Sequence, residues 1–363
     1  MLLFAIMVNP PQVRGGALRV ITINVWSGLD YNGFARMGEY ESAEARGSRF
    51  HSLVTQLRSL APDVVFVQEA NPVGPYSTRL ASALDMVEIH QVVNAGLKIG
   101  PLGPPLNLKE GVSILARPEL SLRKTGSWKL SGSPGIHTDI LTLHADETII
   151  VLPGRITVDG QPVNLLNVHL VATPRLPDDA DELRARGLAH ADASEAEVHE
   201  GILKWRQREE RRVQEVRNLL ERIRGLPPAV PLIVAGDFNA DADADEMGLF
   251  REQGGFRDVM EDLPGAGPKG EVWTWDPVLN DNIAFSMNQV DARGRVRKGF
   301  DYMASLFVDR RRRIDYIFLG PGVAPAPGGA RGVVLGDKVD GFQPSDHFGV
   351  MADLVVGSST GRQ

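Results

Sequence analysis

The chain of 363 residues has no cysteine, which rules out a disulfide scaffold and thiolate zinc ligation while leaving the redox compartment open. It has no apolar run approaching the ~20 residues that a membrane-spanning helix needs. The opening MLLFAIMV carries no basic flank and stops at Asn9 and two prolines, so it reads poorly as a secretory signal. A cytoplasmic protein is the expectation, with secretion as the alternative. Positive charge is also scarce. Lys and Arg number 39 against 46 Asp and Glu, the formal net charge is −7, and no global field exists to hold a polyanion by counterion release. Internal repeats, low-complexity tracts and long linkers are missing, which favours one domain over two.

What is present is a globular composition, 43% hydrophobic and 23% charged, able to bury a sizeable core. LRVITINVW reads as a strand ending near Asn24, and VVFVQEA (64–70) as a strand covered on both faces. Between them Phe50, Leu53, Val54, Leu57 and Leu60 recur at helical spacing and stop before Pro62. ETIIVLPGRITV and QPVNLLNVHLVA flank Asp159-Gly160, a pair suited to a two-residue hairpin turn with positive φ. GVSILARPEL, PLIVAGDFNA, RIDYIFLG and HFGVMADLVV read as further strands, and Val213, Val216, Leu219, Leu220 and Ile223 as one face of a helix ending at Gly225. Residues 96–109 are loop by composition. Residues 178–200 hold eight acids and two arginines, and 293–313 eight Lys or Arg and two Asp. Strands joined partly by helices and partly by hairpins predict mixed sheets with helices on their outer faces. The expected single domain spans 18–356, with a poorly ordered extension at 1–17 and a tail at 357–363.

Five strand ends carry polar groups: Asn24, Gln68-Glu69, Asn167 and His169, Asp237 and Asn239, and Asp346-His347. Taken singly, each has a plain alternative as a turn residue, a cap or a hydrogen-bonded interior side chain. Together they could converge on one cleft, and hard oxygen ligands without cysteine select Mg²⁺, Mn²⁺ or Ca²⁺ over zinc. Magnesium keeps several waters and leaves room for substrate phosphate, which suits phosphoryl transfer.

INVW, PDVVFVQEA, GVSILARPE, LLNVHL, VAGDFNA, WTWD, RIDYIF and PSDHFGV, in this order from about residue 18 to 355, resemble the endonuclease/exonuclease/phosphatase superfamily with its deoxyribonuclease I-like fold. The resemblance implies an α/β fold, a four-layer α/β/β/α sandwich of two facing mixed β-sheets with the active site at one end. It implies Glu69 as principal metal carboxylate, helped by Asn24 and Asp346, with Mg²⁺ as cofactor and Mn²⁺ or Ca²⁺ as alternatives. Asp237 and Asn239 match the pair that orients the attacking water and contacts phosphate, and His169 the histidine that donates to a phosphate oxygen. His347 matches the histidine assigned as general base or as electrophile, and Asp315 the carboxylate that orients it. The plain alternative for Asp315 is a salt bridge to one of Arg310 to Arg313. Of the acidic run after Asp237, Asp241, Asp243, Asp245 and Glu246 are expected in a solvated turn and helix start.

The shared set does not choose the phosphate ester. The segments 88–110, 171–205 and 276–309 are the candidates for that choice. Phe300, Tyr302 and Phe307 among the arginines of 293–313 could serve a nucleic acid, and LKIGPLGPPLNL (97–108) a membrane surface; a solvated hairpin and an ordinary loop are the alternatives. WTWDPVLNDNIAF resembles a segment of the neutral sphingomyelinase-like branch. Acidity favours a small or lipid phosphodiester, with a nuclease as second reading and a catalytically inactive binding module of the same fold as third. Partners are therefore a phosphate ester, and by reading a nucleic acid or peripheral membrane contact; the oligomeric state is not legible.

Overall fold

Strand β1 (Ala17–Asn24) feeds two apolar layers at once, Leu18 and Val20 entering one and Ile21 and Ile23 the other, as the two-residue side-chain period requires. The same alternation recurs at Val64–Val67, Ile149–Leu152, Val163–Val168, Leu232–Ala235 and Tyr316–Leu319. The computed structural model describes residues 17–357 except 30–33, 40, 97, 100–103, 144–146, 174–193, 262, 264–271 and 284–310. The remaining strands are β2 (Val64–Ala70), β3 (Val87–Ala95), β4 (Lys98–Ile99), β5 (Lys109–Ala116), β6 (Arg123–Lys124), β7 (Trp128–Ser131), β8 (Ile136–His137), β9 (Leu141–Leu143), β10 (Ile149–Val158), β11 (Gln161–His169), β12 (Leu232–Asp237), β13 (Arg257–Asp258), β14 (Asp315–Leu319), β15 (Val323–Pro325), β16 (Arg331–Val334) and β17 (Gly349–Val356). The helices are α1 (Ala43–Leu60), α2 (Val73–Ala83), α3 (Glu195–Arg224) and α4 (Asp245–Glu252).

Two seven-stranded sheets result. One runs β15-β17-β1-β2-β5-β3 with β16 beside β17; the other runs β13-β14-β12-β11-β10-β6 with β7 beside β10. Between them lies a layer that includes Val20, Phe66, Ile114, Ile150, Leu165, Ile233 and Ile317. Phe50, Leu53 and Leu57 of α1 and Leu80 of α2 cover the outer face of the first sheet. Val216, Leu219 and Leu220 of α3 with Met247 and Phe250 of α4 cover that of the second. This is the expected four-layer α/β/β/α sandwich. Helix α1 starts at its Ser42 cap, whose side chain accepts the Ala45 N–H, and β10 turns into β11 through Asp159-Gly160 with both φ positive. Helix α3 begins at Glu195, so the last six residues of the acidic segment 178–200 are helical. The terminal segments 1–16 and 358–363, residues 178–193 of the acidic segment and 293–310 of the basic one, Phe300, Tyr302 and Phe307 included, lie outside the described residues.

The layer between the sheets turns polar toward one end. There Asn167 donates to the carbonyls of Val67 (2.9 Å) and Ser113 (2.7 Å) in the opposite sheet and accepts from Gln68 (2.7 Å), itself bonded to Thr22. Gln68 and Asn167, both fully buried, therefore stitch the sheets together and do not line the cleft. Gly236 sits where β12 passes β11 so closely that a Cβ would meet the Val168 carbonyl at 1.8 Å, with φ at +146°.

Asn167→Ala strands two carbonyls and the Gln68 amide, and is expected to cost about 3 kcal/mol. Urea unfolding with an unchanged m-value should show it as a lowered midpoint; a midpoint within experimental scatter of wild type would refute the stitch.

Candidate active site

The inward parity of the second sheet places three side chains in a row. Val163 and Leu165 of β11, Ile233 and Ala235 of β12, and Ile317 and Leu319 of β14 all face the inter-sheet layer, so His169, Asp237 and Asp315, at even offsets from them, face it too. Register sets them side by side, His169 opposite Asp237 and Asp237 opposite Asp315. From the facing sheet, Asn24 ends β1 with the parity of Leu18 and Val20. Its Nδ2 donates to Glu69 Oε1 (2.9 Å) and Asp237 Oδ2 (3.0 Å), and its Oδ1 accepts the Trp26 N–H (3.0 Å).

Glu69 arrives by a different route. Strict alternation would point it away from the second sheet, but β2 shifts register against β5 between Val67 and Ala70, and Glu69 takes φ +56°. A bulge of this kind re-aims a side chain. Glu69 Oε2 then accepts the Ser27 N–H (3.1 Å), and Oε1 lies 3.7 Å from His169 Nε2.

Asp346 and His347 enter on the segment before β17, which is antiparallel to β1. The Ser345 hydroxyl donates to the Asn24 carbonyl (2.6 Å) and accepts the His347 N–H (3.2 Å), binding this segment to the end of β1. His347 Nδ1 meets Asp315 Oδ2 at 2.9 Å and its Nε2 stands 3.8 Å from Asp237 Oδ2. Asn239, with φ +52°, donates its backbone N–H to Asp237 Oδ1 (2.8 Å) and its Nδ2 to the Leu170 carbonyl (3.0 Å). Thus Asn24, Glu69, His169, Asp237, Asp315, Asp346 and His347 form one cluster spanning both sheets, and Asn239 flanks it.

The electrostatics follow from burial and like charge. Burial opposes a charged His347, but Asp315, Asp237 and Asp346 outweigh it and hold the imidazole pKa well above its ordinary value. Burial, with Asp237 adding, pushes Asp315 up to about 6 against the pull of His347. Burial, with Glu69 adding, pushes Asp346 up to about 6 despite His347 and Arg49. His169 is also raised, since Asp237, Glu69 and Glu110 together exceed the burial that acts on it first.

Side chains that the sequence did not single out hold this cluster in place. Thr274 Oγ1 accepts the N–H groups of Ile314 and Asp315, and its carbonyl accepts that of Phe348, so the WTWD segment ties Asp315 to His347. Buried Arg49 of α1 donates to the carbonyls of Val25 (3.0 Å) and Pro344 (2.9 Å) and pairs with Glu41. Arg212 and Arg312 both donate to the Asn239 carbonyl. The quoted WTWD and PSDHF motifs contained Thr274 and Ser345; nothing in the pattern around Arg49 or Arg212 distinguishes them from other helical arginines.

One sequence expectation needs correction. Asp241 pairs with Arg312, and Glu246, at the first turn of α4, is buried against Arg212, so the acidic run is partly interior because two arginines neutralise it. Among the described residues the arginines next to Asp315 pair elsewhere, Arg311 with Asp276, Arg312 with Asp241 and Arg313 with Asp258, while Asp315 meets His347. By spacing alone, the described residues that could share a metal ion are Asp237, Asp315 and His347, with ligand atoms within 4.8 Å of one another. That trio differs from the expected Asn24, Glu69 and Asp346. In that trio His347 Nδ1 is already engaged by Asp315 Oδ2 and both Asp237 oxygens accept N–H groups from outside it, whereas Glu69 and Asp346 present hard oxygens under mutual repulsion, the donor set a divalent cation takes.

A four-layer sandwich with two histidines and four carboxylates gathered at one end of its inner layer defines a hydrolase of phosphate esters with the deoxyribonuclease I-like fold. The chain belongs to the endonuclease/exonuclease/phosphatase family, whose model matches residues 21–347 and so spans the whole cluster. Among solved structures it resembles a D. rerio TDP2 humanized by 14 mutations, with 20% identity, a TM-score of 0.56 and coverage of 93% of this chain and 99% of that one. D. rerio TDP2 complexed with a single-strand DNA product gives 21%, 0.54, 93% and 98%. The human Nocturnin catalytic domain with a bound sulfate anion gives 14%, 0.51, 95% and 95%. At these identities the likeness is one of fold. No curated protein sequence matches the chain.

Because Asp315 is a main cause of the elevated His347 pKa, Asp315→Asn should move the His347 titration to lower pH in chelator-treated protein, read by NMR of the imidazole nitrogens. The stability contributed by the raised His347 pKa is complete below the unfolded histidine value of about 6.5 and is lost as pH rises through the folded value. An unmoved titration would remove Asp315 as the cause.

Proposed function

We propose that this chain is a divalent-metal-dependent phosphodiesterase that cleaves its substrate by in-line attack of a water. The observation that carries the reading is the row His169, Asp237, Asp315 with His347 behind it, facing Asn24 and Glu69 across the inter-sheet layer. Glu69 and Asp346, with Asn24 beside them, are the residues that would hold Mg²⁺, or Mn²⁺ or Ca²⁺ in its place. When bound, the ion neutralises phosphate oxygens and acidifies water.

The chain's own residues supply the rest. Asp237, fixed through Oδ1 by the Asn239 N–H and through Oδ2 by Asn24, orients the attacking water and receives its proton. His347, its Nδ1 engaged by Asp315 and its pKa raised by three carboxylates, serves as a cationic donor to phosphate, since a protonated imidazole cannot be the base. His169, half-buried at the cleft, donates to a second phosphate oxygen. No covalent intermediate is required.

For the substrate, a small or lipid phosphodiester is the first reading. The arginines at 311–313 are spent on internal acids, so they offer no groove for a phosphate backbone. The segments leaving the sheets at the same end as Asn24 and Asp237 expose Phe34, Leu106, Val278, Leu279 and Phe342, an apolar rim suited to an acyl chain or bilayer surface. Among the described residues no helix is long and apolar enough to cross a membrane, and the membrane contact of this reading is a peripheral one. Single-stranded nucleic acid is the second reading, supported by the likeness to D. rerio TDP2 complexed with a DNA product.

Purified protein should hydrolyse bis(p-nitrophenyl) phosphate with Mg²⁺ or Mn²⁺ and lose that activity in EDTA; activity indifferent to chelation would defeat the metal assignment. His347→Ala should lower kcat by about 10² to 10⁴ with an unchanged unfolding midpoint at alkaline pH, and Glu69→Gln should raise the metal concentration needed for half-maximal rate. A panel of sphingomyelin vesicles, single-stranded DNA and RNA separates the two substrate readings: turnover of the vesicles alone supports the first, and of either nucleic acid alone the second.

A further inference from the structure

Two buried arginines that the proposed chemistry does not use converge on one atom. Arg212 of α3 reaches the Asn239 carbonyl through NH1 at 2.8 Å, and Arg312, just before β14, reaches the same oxygen through NH2 at 3.1 Å. Each also holds an acid further along the run, Arg212 with Glu246 and Arg312 with Asp241. Arg312 has a third side-chain contact, the Thr173 carbonyl at 3.3 Å, and its own backbone is bonded in both directions to Trp275. It thereby links the exit of β11, the exit of β12 and the WTWD segment, the three pieces of chain that surround His169, Asp237 and Asp315.

We propose that Arg312 and Arg212 are positioning residues that act on Asp237 through the Asn239 peptide. The physical chain has three steps. Asn239 sits in the left-handed region at φ +52°, a conformation an L-residue holds at some cost. Two charge-assisted hydrogen bonds to its carbonyl, each roughly twice as strong as a neutral one, fix the peptide that follows it. With Asn239 so held, its N–H stays aimed at Asp237 Oδ1 at 2.8 Å, leaving Oδ2 turned to Asn24, His169 and His347. A lysine cannot replace either arginine here, because one ammonium on a flexible stem does not reach an acid and a carbonyl in the fixed fork geometry.

The kinetic arm of the test rests on the phosphodiesterase reading; the spectroscopic arm does not. In the full-length protein, Arg312→Lys and Arg212→Lys should lower kcat on bis(p-nitrophenyl) phosphate by about ten- to a hundredfold while KM stays near wild type. Asp241→Asn, which breaks the ion pair and leaves the Arg312 bond to Asn239, should keep kcat near wild type. In metal-free protein the Asn239 amide proton, hydrogen-bonded to a carboxylate, should move upfield in Arg312→Lys. If the lysine variants lose thermal stability yet keep kcat and the amide resonance, the arginines are structural ion pairs and the proposal is overturned. If wild type hydrolyses no phosphodiester, the functional reading fails by itself, and an unmoved Asn239 resonance in both lysine variants still decides against positioning.

Discussion

Four carboxylates meet at one end of a protein interior, and the rest of the structure accommodates that fact. Two unit charges of like sign ~4 Å apart repel by roughly 4 kcal/mol at an effective dielectric constant of 20, a large fraction of a domain's net stability. Compensation here is specific. Asp237, almost wholly buried, has His169 Nε2 and His347 Nε2 within 3.8 Å of one oxygen and the Asn24 amide on it as well. Asp315 has His347. Glu69 has Asn24 and the Ser27 N–H. What is left over falls on Asp315, pushed up to about 6 by burial and by Asp237, and on Asp346, pushed up to about 6 by burial and by Glu69; the proposal puts a dication beside the second.

The alternation that builds the core also builds the site. Between the sheets, side chains pass from Val20, Phe66, Leu165 and Ile233 through the Gln68 and Asn167 stitch to Asn24, His169 and Asp237 at the end. No separate device is needed to aim Asn24, His169, Asp237 and Asp315, because they are the next positions in a pattern fixed by hydrophobic burial. A one-residue slip of β11 or β12 would turn both the core and the site outward. Close packing at Gly236, where a Cβ has no room beside the Val168 carbonyl, resists such a slip.

This explains which parts were legible in the sequence. The parity of VNLLNVH, IVAGD and DYIFL places His169, Asp237 and Asp315 on the same face as buried Val163, Ile233 and Ile317, and ordered motifs suggested that these strands share one fold. Glu69 could be placed by resemblance but not by alternation, since its direction depends on a bulge between Val67 and Ala70 that no local turn residue announces. The split of the acidic run was only half legible. Asp245 and Glu246 do begin a helix, as the dipole argument expects, but the burial of Glu246 depends on Arg212, 34 residues earlier. Gln68 and Asn167 look like cleft residues in a strand-end inventory and are inter-sheet ties in three dimensions.

The direction in which the arginines point bears on substrate choice. Arg49, Arg212, Arg312 and Arg313 are all buried, and each turns its guanidinium inward onto an acid or a carbonyl around the cluster. A guanidinium engaged by a buried acid is not free to greet a phosphate, so these cations stiffen the floor of the site and contribute little to an attractive field above it. With a formal charge of −7 over the chain, affinity for a phosphodiester must then come from contacts at the pocket itself and from the loops that rim it. Strands hold the reacting groups and loops hold the rim, so chemistry and selectivity are separable here.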